Sequence, residues 1–120
     1  MKLSDKEWLV LGVLWDHEGA ELGEVTQALY QETGWNRNTV FTYLTRMEAK
    51  GLVAIDKGGY PRHYRAALSR ADCQAQARDS FLKQVYRGST RDLVAAFLKE
   101  KPISAEERSE LRRLLDEMEV

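Results

Sequence analysis

Along the first fifty residues the apolar positions recur three and four apart, the period of a helix with one buried face. Ser4, followed three residues on by Glu7, forms a capping-box pattern, and Trp8, Leu11, Leu14 and Trp15 then share a stripe that runs out at Gly19. Leu22, Val25 and Leu29 line a second helix that Gly34 closes. In the third, Asn36 is the expected N-cap, Trp35 and Val40 are spaced as a hydrophobic staple, and Val40, Tyr43, Leu44 and Met47 fall on one side before Gly51. The period then shortens. "LVAIDKGGYPRHYRAAL" carries apolar or aromatic residues in partial alternation on both sides of Gly58-Gly59, which predicts a β-hairpin. Three helices followed by a hairpin is the order of a winged helix-turn-helix.

From Ser69 onward the pattern is helical again, but thinner. A first segment opens at Ser69 and Asp72, carries Phe81 and stops at Gly88; a second carries Leu93, Val94, Phe97 and Leu98. A third begins with a capping-box pair, Ser104 and Glu107, and carries Leu111, Leu114, Leu115 and Met118. Three amphipathic helices in about fifty residues bury too little surface to be stable alone, so their apolar side chains are expected to meet those of a second copy. The competing arrangement folds them back on their own chain. The expected fold is mainly α with a small β-hairpin: a winged helix domain over residues 1–68 and a helical dimerisation domain over 69–120.

The net charge of −1 hides an uneven distribution. Residues 1–34 hold two bases against seven acids, residues 35–67 hold six bases against two acids, and residues 68–120 hold ten of each. The only electropositive stretch therefore contains the third helix and the hairpin, where a phosphate-binding surface would need it. At 100° per residue, Asn38, Phe41, Thr42 and Thr45 project away from the buried stripe of that helix, with Arg37, Thr39 and Arg46 beside them. Short polar side chains reach base edges in a major groove, an aromatic ring packs on a thymine methyl, and Arg46 and Lys50 are placed to hold phosphates. Lys57, Arg62, His63 and Arg65 of the hairpin would follow onto the same backbone. A double-stranded DNA partner is the expectation, and a dimer would read a palindrome with two helices about one turn (~34 Å) apart.

Other classes find less support. Ser, His and Asp occur without a nucleophile elbow, a P-loop or metal-ligand spacing, so neither an enzyme nor a cofactor is expected. Cys73 stands alone, which rules out an intrachain disulfide and a cysteine-based metal cluster. No apolar run approaches the roughly 20 residues that span a bilayer, and the opening MKLSDKEW lacks a signal-peptide core, so a cytoplasmic protein is expected. Two alternatives stay open: a regulator sensing redox through Cys73, with Arg70 and Arg78 at helical spacing to lower the thiol pKa, and a winged helix used for protein contacts.

Three runs, "SDKEWLVLGVLW", "WNRNTVFTYLTRMEAKGLV" and "FLKQVYRGSTRDLVAAFLKEKPISAEERSELRRLLDEM", resemble the BlaI/MecI penicillinase-repressor family in order and nearly end to end. The resemblance implies a homodimeric repressor on an inverted-repeat operator, with the third helix as reader and the tail as dimerisation domain. It also implies relief of repression by a membrane-bound sensor protease that detects β-lactam and leads to cleavage within the tail. Carried over through "AFLKEK", the bond is Ala96–Phe97. The chain departs from many relatives in having Asn36-Arg37-Asn38 where they have Ser-Pro-Lys, Phe41 where they have a polar or basic residue, and Ala96 where Asn often precedes the cut. The copper-responsive branch has a cysteine-rich C-terminus, and "LLDEMEV" contains no cysteine.

Overall fold

A computed structural model describes residues 2–119, which form α1 (Asp5–Asp16), α2 (Leu22–Thr33), α3 (Arg37–Ala49), β1 (Val53–Asp56), β2 (His63–Ala66), α4 (Arg70–Tyr86), α5 (Thr90–Glu100) and α6 (Ala105–Glu117). They divide into two compact units, one running up to Ala77 and one from Arg78 onward.

The first unit is a winged helix. Its helices start where the caps predict: the Ser4 hydroxyl accepts from the Glu7 amide and the Glu7 carboxylate accepts from the Ser4 amide, closing the box on α1. Val10, Leu11 and Leu14 of α1, Val25 and Leu29 of α2, and Val40, Leu44 and Met47 of α3 converge with Leu52, Val53 and Tyr64 in one core. Trp8, Trp15, Leu22 and Tyr43, expected on the buried stripes, lie half-buried at its edge. The strands pair antiparallel in the register Val53↔Ala66 to Asp56↔His63, leaving 57–62 as the wing tip. A bridge on the other side of β2, between Ala20 and Tyr64, ties the α1–α2 connection to the wing through paired amide–carbonyl bonds of 3.1 and 2.8 Å.

The start of α4 is fastened to α1. The Trp15 indole donates to the Leu68 carbonyl at 2.9 Å, and Arg70 reaches Asp16 at 2.8 Å while lying over the Trp15 ring. Cys73 is buried one turn further on. These contacts hold the opening turns of α4 to the winged body, so the break between compact units falls inside α4, after Ala77, and not at residue 68 where the helical pattern resumes.

In the second unit, Arg87 and Gly88 take positive φ of 52° and 84° and end α4; Ser89 and Ser104 cap α5 and α6 through the Asp92 and Glu107 amides. The capping box expected at Ser104 is half made: the hydroxyl accepts from the Glu107 amide, but the Ser104 amide does not donate to the Glu107 carboxylate. No residue of α5 or α6 is buried. Phe81, Val94, Phe97, Leu98, Leu111, Leu114, Leu115 and Met118 are all exposed, and Leu93 is half-covered.

Candidate nucleic-acid interface

The candidate reader helix is α3, and both of its ends are fixed by local chemistry. At the start, the Asn36 side-chain oxygen accepts from the Thr39 amide at 2.9 Å. The Trp35 ring stacks on Tyr43 with centroids 4.2 Å apart, one turn beyond the Val40 partner that staple spacing predicts. At the finish, Gly51 takes a φ of 80°, its amide donates to the Glu48 carbonyl, and the Leu52 amide donates to the Met47 carbonyl. That pair of bonds is a Schellman motif, and it turns the chain directly into β1.

With Val40, Leu44 and Met47 buried, the opposite face holds Arg37, Asn38, Phe41, Thr42, Thr45 and Arg46 exposed and Thr39 half-exposed. The Thr42 hydroxyl donates to the Asn38 carbonyl at 3.0 Å, so its proton is used within the helix. What Thr42 offers a partner is a methyl group and an acceptor lone pair. Phe41 keeps 40 % of its surface exposed beside it.

The positive charges on this side of the molecule fall into two groups. Arg37, Arg46, Arg62 and Arg65 are exposed and have no carboxylate at ion-pair distance among the described residues. Lys50 and Lys57, expected on sequence to hold phosphates, are already engaged: Lys50 lies 2.9 Å from Glu7, and Lys57 3.2 Å from Glu48. His63 sits 3.7 Å from Glu21. At the wing tip the Asp56 carboxylate accepts from the Gly58 amide, and Tyr60 is exposed over 96 % of its surface. Tyr60 was not among the residues expected to matter, because alternation assigns no role to a turn residue; its position between Gly58-Gly59 and Arg62 was the available signal.

The remaining chemistry of the chain is quiet. No group of His, Cys, Asp and Glu residues able to hold a metal occurs among the described residues. An open trough of about 640 Å³ along α2, lined by Thr26, Tyr30 and Arg37 among others, holds no nucleophile with a base. Burial, and secondarily the charge of Asp72, pushes the Cys73 thiol up, opposite to the shift a redox sensor needs. Arg70, expected to lower that pKa, is held by Asp16 instead.

Comparison with known proteins agrees with this arrangement. The model of the family described as penicillinase repressor matches residues 3–117. The penicillinase repressor of Bacillus licheniformis is 31% identical over 116 residues, covering 97% of this chain and 91% of its own. The methicillin resistance regulatory protein MecI of Staphylococcus aureus (strain N315) is 25% identical over 115 residues, covering 96% and 94%. Among solved structures, the monomeric form of Bacillus licheniformis BlaI in complex with the blaP half-operator matches with a TM-score of 0.52 and 29% identity over 60% of this chain and 88% of that one. A MarR family protein from Bacillus stearothermophilus matches in fold alone, with a TM-score of 0.54 and 21% identity over 97% of this chain and 72% of that one. A winged helix with an exposed, largely polar face on α3 and a family match over nearly its whole length, the chain belongs to the penicillinase repressor family and is a DNA-binding repressor, not an enzyme.

Proposed function

We propose that the chain is a homodimeric transcriptional repressor that binds an inverted-repeat operator through α3 and the wing. Asn38, Thr39, Phe41, Thr42 and Thr45 read base edges, and Arg37, Arg46, Arg62 and Arg65 hold the backbone. The observation that carries this reading is the exposed face of α3 flanked by arginines that have no carboxylate at ion-pair distance among the described residues. The half-operator complex of the Bacillus licheniformis relative, 29% identical over 60% of this chain, supports operator binding by this chain.

Dimerisation is assigned to the second unit, where α5 and α6 have no buried residue and Phe97, Leu98, Leu114, Leu115 and Met118 are each at least 48 % exposed. Burying that much apolar surface against a second copy is the outcome its chemistry favours. Relief of repression is assigned to a cut at Ala96–Phe97 under a membrane sensor protease, in the cytoplasm. Both residues lie inside α5, so that helix must unwind before a protease can bind the bond in extended form. Among the described residues no helix is long and apolar enough to cross a membrane, so the sensor is a separate protein in this scheme.

The test compares the full chain with residues 1–96 by sedimentation and by binding to a palindromic duplex at one salt concentration. The truncated chain is expected to be monomeric and to bind the palindrome far more weakly, while both forms bind a half-site alike. A dimeric 1–96 form, or one that binds the palindrome as tightly as the full chain, would sink the assignment.

A further inference from the structure

Glu7 is the buried charged side chain among the described residues, with 6 % of its surface exposed. Its carboxylate accepts from the Ser4 amide at 2.9 Å through Oε1 and from the Lys50 ammonium at 2.9 Å through Oε2. The two partners belong to the ends of two different helices, Ser4 as the N-cap of α1 and Lys50 as the C-cap of α3. Each charge also suits its helix end, an anion in the first turn of α1 and a cation after the last turn of α3. Burial pushes the Glu7 carboxyl up, yet its bonds to Ser4 and Lys50 outweigh that and hold it below the ordinary value of 4.5, so it is ionised at neutral pH.

We propose that Glu7 is a positioning residue for the reader helix: through Lys50 it fixes the C-terminal end of α3 against α1, and Lys50 serves as a strut and not as a phosphate ligand. The inference rests on the DNA-binding reading above. A Lys50 that left for a phosphate would strand an ionised carboxylate in the protein interior, where an unpaired charge is far more costly than at the surface. A Lys50 that stays paired adds no net charge to the DNA face and releases no counterion. The pair therefore acts on where Thr42, Thr45 and Arg46 sit, not on the electrostatic attraction of the duplex.

This separates two measurable quantities. The probe is a duplex enriched by the full-length protein from a random library, compared with a scrambled duplex, each titrated over a range of KCl. Glu7→Gln and Lys50→Met should each lower discrimination between the duplexes by about ten-fold, the size of one impaired base contact. The slope of log affinity against log salt should stay at the wild-type value. The double variant should discriminate no worse than the weaker single variant, because both remove the same strut. If Lys50→Met fails to fold because Glu7 is left charged and alone, the double variant carries the test, since it strands no charge. A salt slope reduced by about 1 in Lys50→Met, with discrimination intact in Glu7→Gln, would overturn the proposal and make Lys50 a phosphate ligand. Absence of binding to any duplex by the wild-type chain would overturn the DNA-binding reading itself, and the strut with it.

Discussion

Replacing Arg62 and Arg65 together with alanine tests how the wing meets DNA, and the size of the effect follows from which cations are free. On the wing and the adjoining end of α3, Lys50 and Lys57 are paired to Glu7 and Glu48, whereas Arg62 and Arg65 are exposed with no carboxylate partner among the described residues. Each phosphate neutralised on a duplex contributes about 0.9 to the salt slope, so two arginines should account for ~1.8. Over a four-fold rise in salt, from ~50 to ~200 mM, the wild-type chain should then lose about 12-fold more affinity than the double variant. Fluorescence anisotropy with a labelled duplex, repeated at several KCl concentrations, measures both slopes. The loss should be equal on an enriched and a scrambled duplex, because phosphate contacts carry no sequence information. An unchanged slope would mean that the wing points away from the backbone. A loss confined to the enriched duplex would mean that one of the arginines reads a base.

Three further outcomes follow from the same geometry. Gly51→Ala should lower stability by about 1–2 kcal/mol, since φ at this residue is +80° and an added Cβ meets nothing within 4 Å, which leaves the left-handed backbone as the cost; thermal melts would show a drop of several degrees, and an unchanged melting temperature would contradict it. Because folding lowers the Glu7 pKa, its contribution is complete above the ordinary carboxylate value of 4.5 and fades as pH falls through the lower folded-state value. Denaturant titrations should therefore show the stability gap between wild type and Glu7→Gln at pH 7 closing in acid; a gap that persists at pH 2 would refute the assignment. Thr42→Ala should shift sequence preference at one or two operator positions by about 1–3 kcal/mol each without unfolding the chain, and a selection experiment returning the same consensus would remove Thr42 from the reader set.

Local signals carried most of the fold. Ser4, Asn36 and Ser104 cap helices where their spacing says they should, Gly34, Gly51 and Gly88 mark helix ends with positive φ, and the turn of the hairpin spans Gly58-Gly59. These signals work because a cap or a left-handed residue is decided by its neighbours within one turn. The exposed face of α3 was legible for the same reason: periodicity that buries Val40, Leu44 and Met47 also fixes what points outward. Long-range pairing was not legible. Glu7 and Lys50 are 43 residues apart; spacing assigns Glu7 to a capping box and Lys50 to the phosphates, and nothing in either pattern points to the other. Arg70 was misplaced likewise: helical spacing put it near Cys73, whereas the Asp16 carboxylate, 54 residues away, claims it. The limit of the winged body was hidden because what extends it into α4 is a tryptophan bonding a carbonyl 53 residues on, which leaves no trace in composition.

The junction between α3 and the wing fixes where the chain tolerates a change of length. From Met47 to Val53 each step is spoken for: Gly51 and Leu52 donate back to the helix, the Leu52 carbonyl accepts from Ala67, and Leu52 and Val53 are buried. On the far side, Ala20 clips Tyr64 in place. One extra residue between 50 and 53 would break the Schellman bonds and turn β1 over, sending Val53 to solvent and its neighbour into the core. Residues 57–62 carry no ladder bond and end in full exposure at Tyr60, so the same insertion there only lengthens the tip. A change of side chains on the exposed face of α3 or of length at the wing tip can therefore be made without disturbing the core, whereas the spacing between α3 and β1 cannot change.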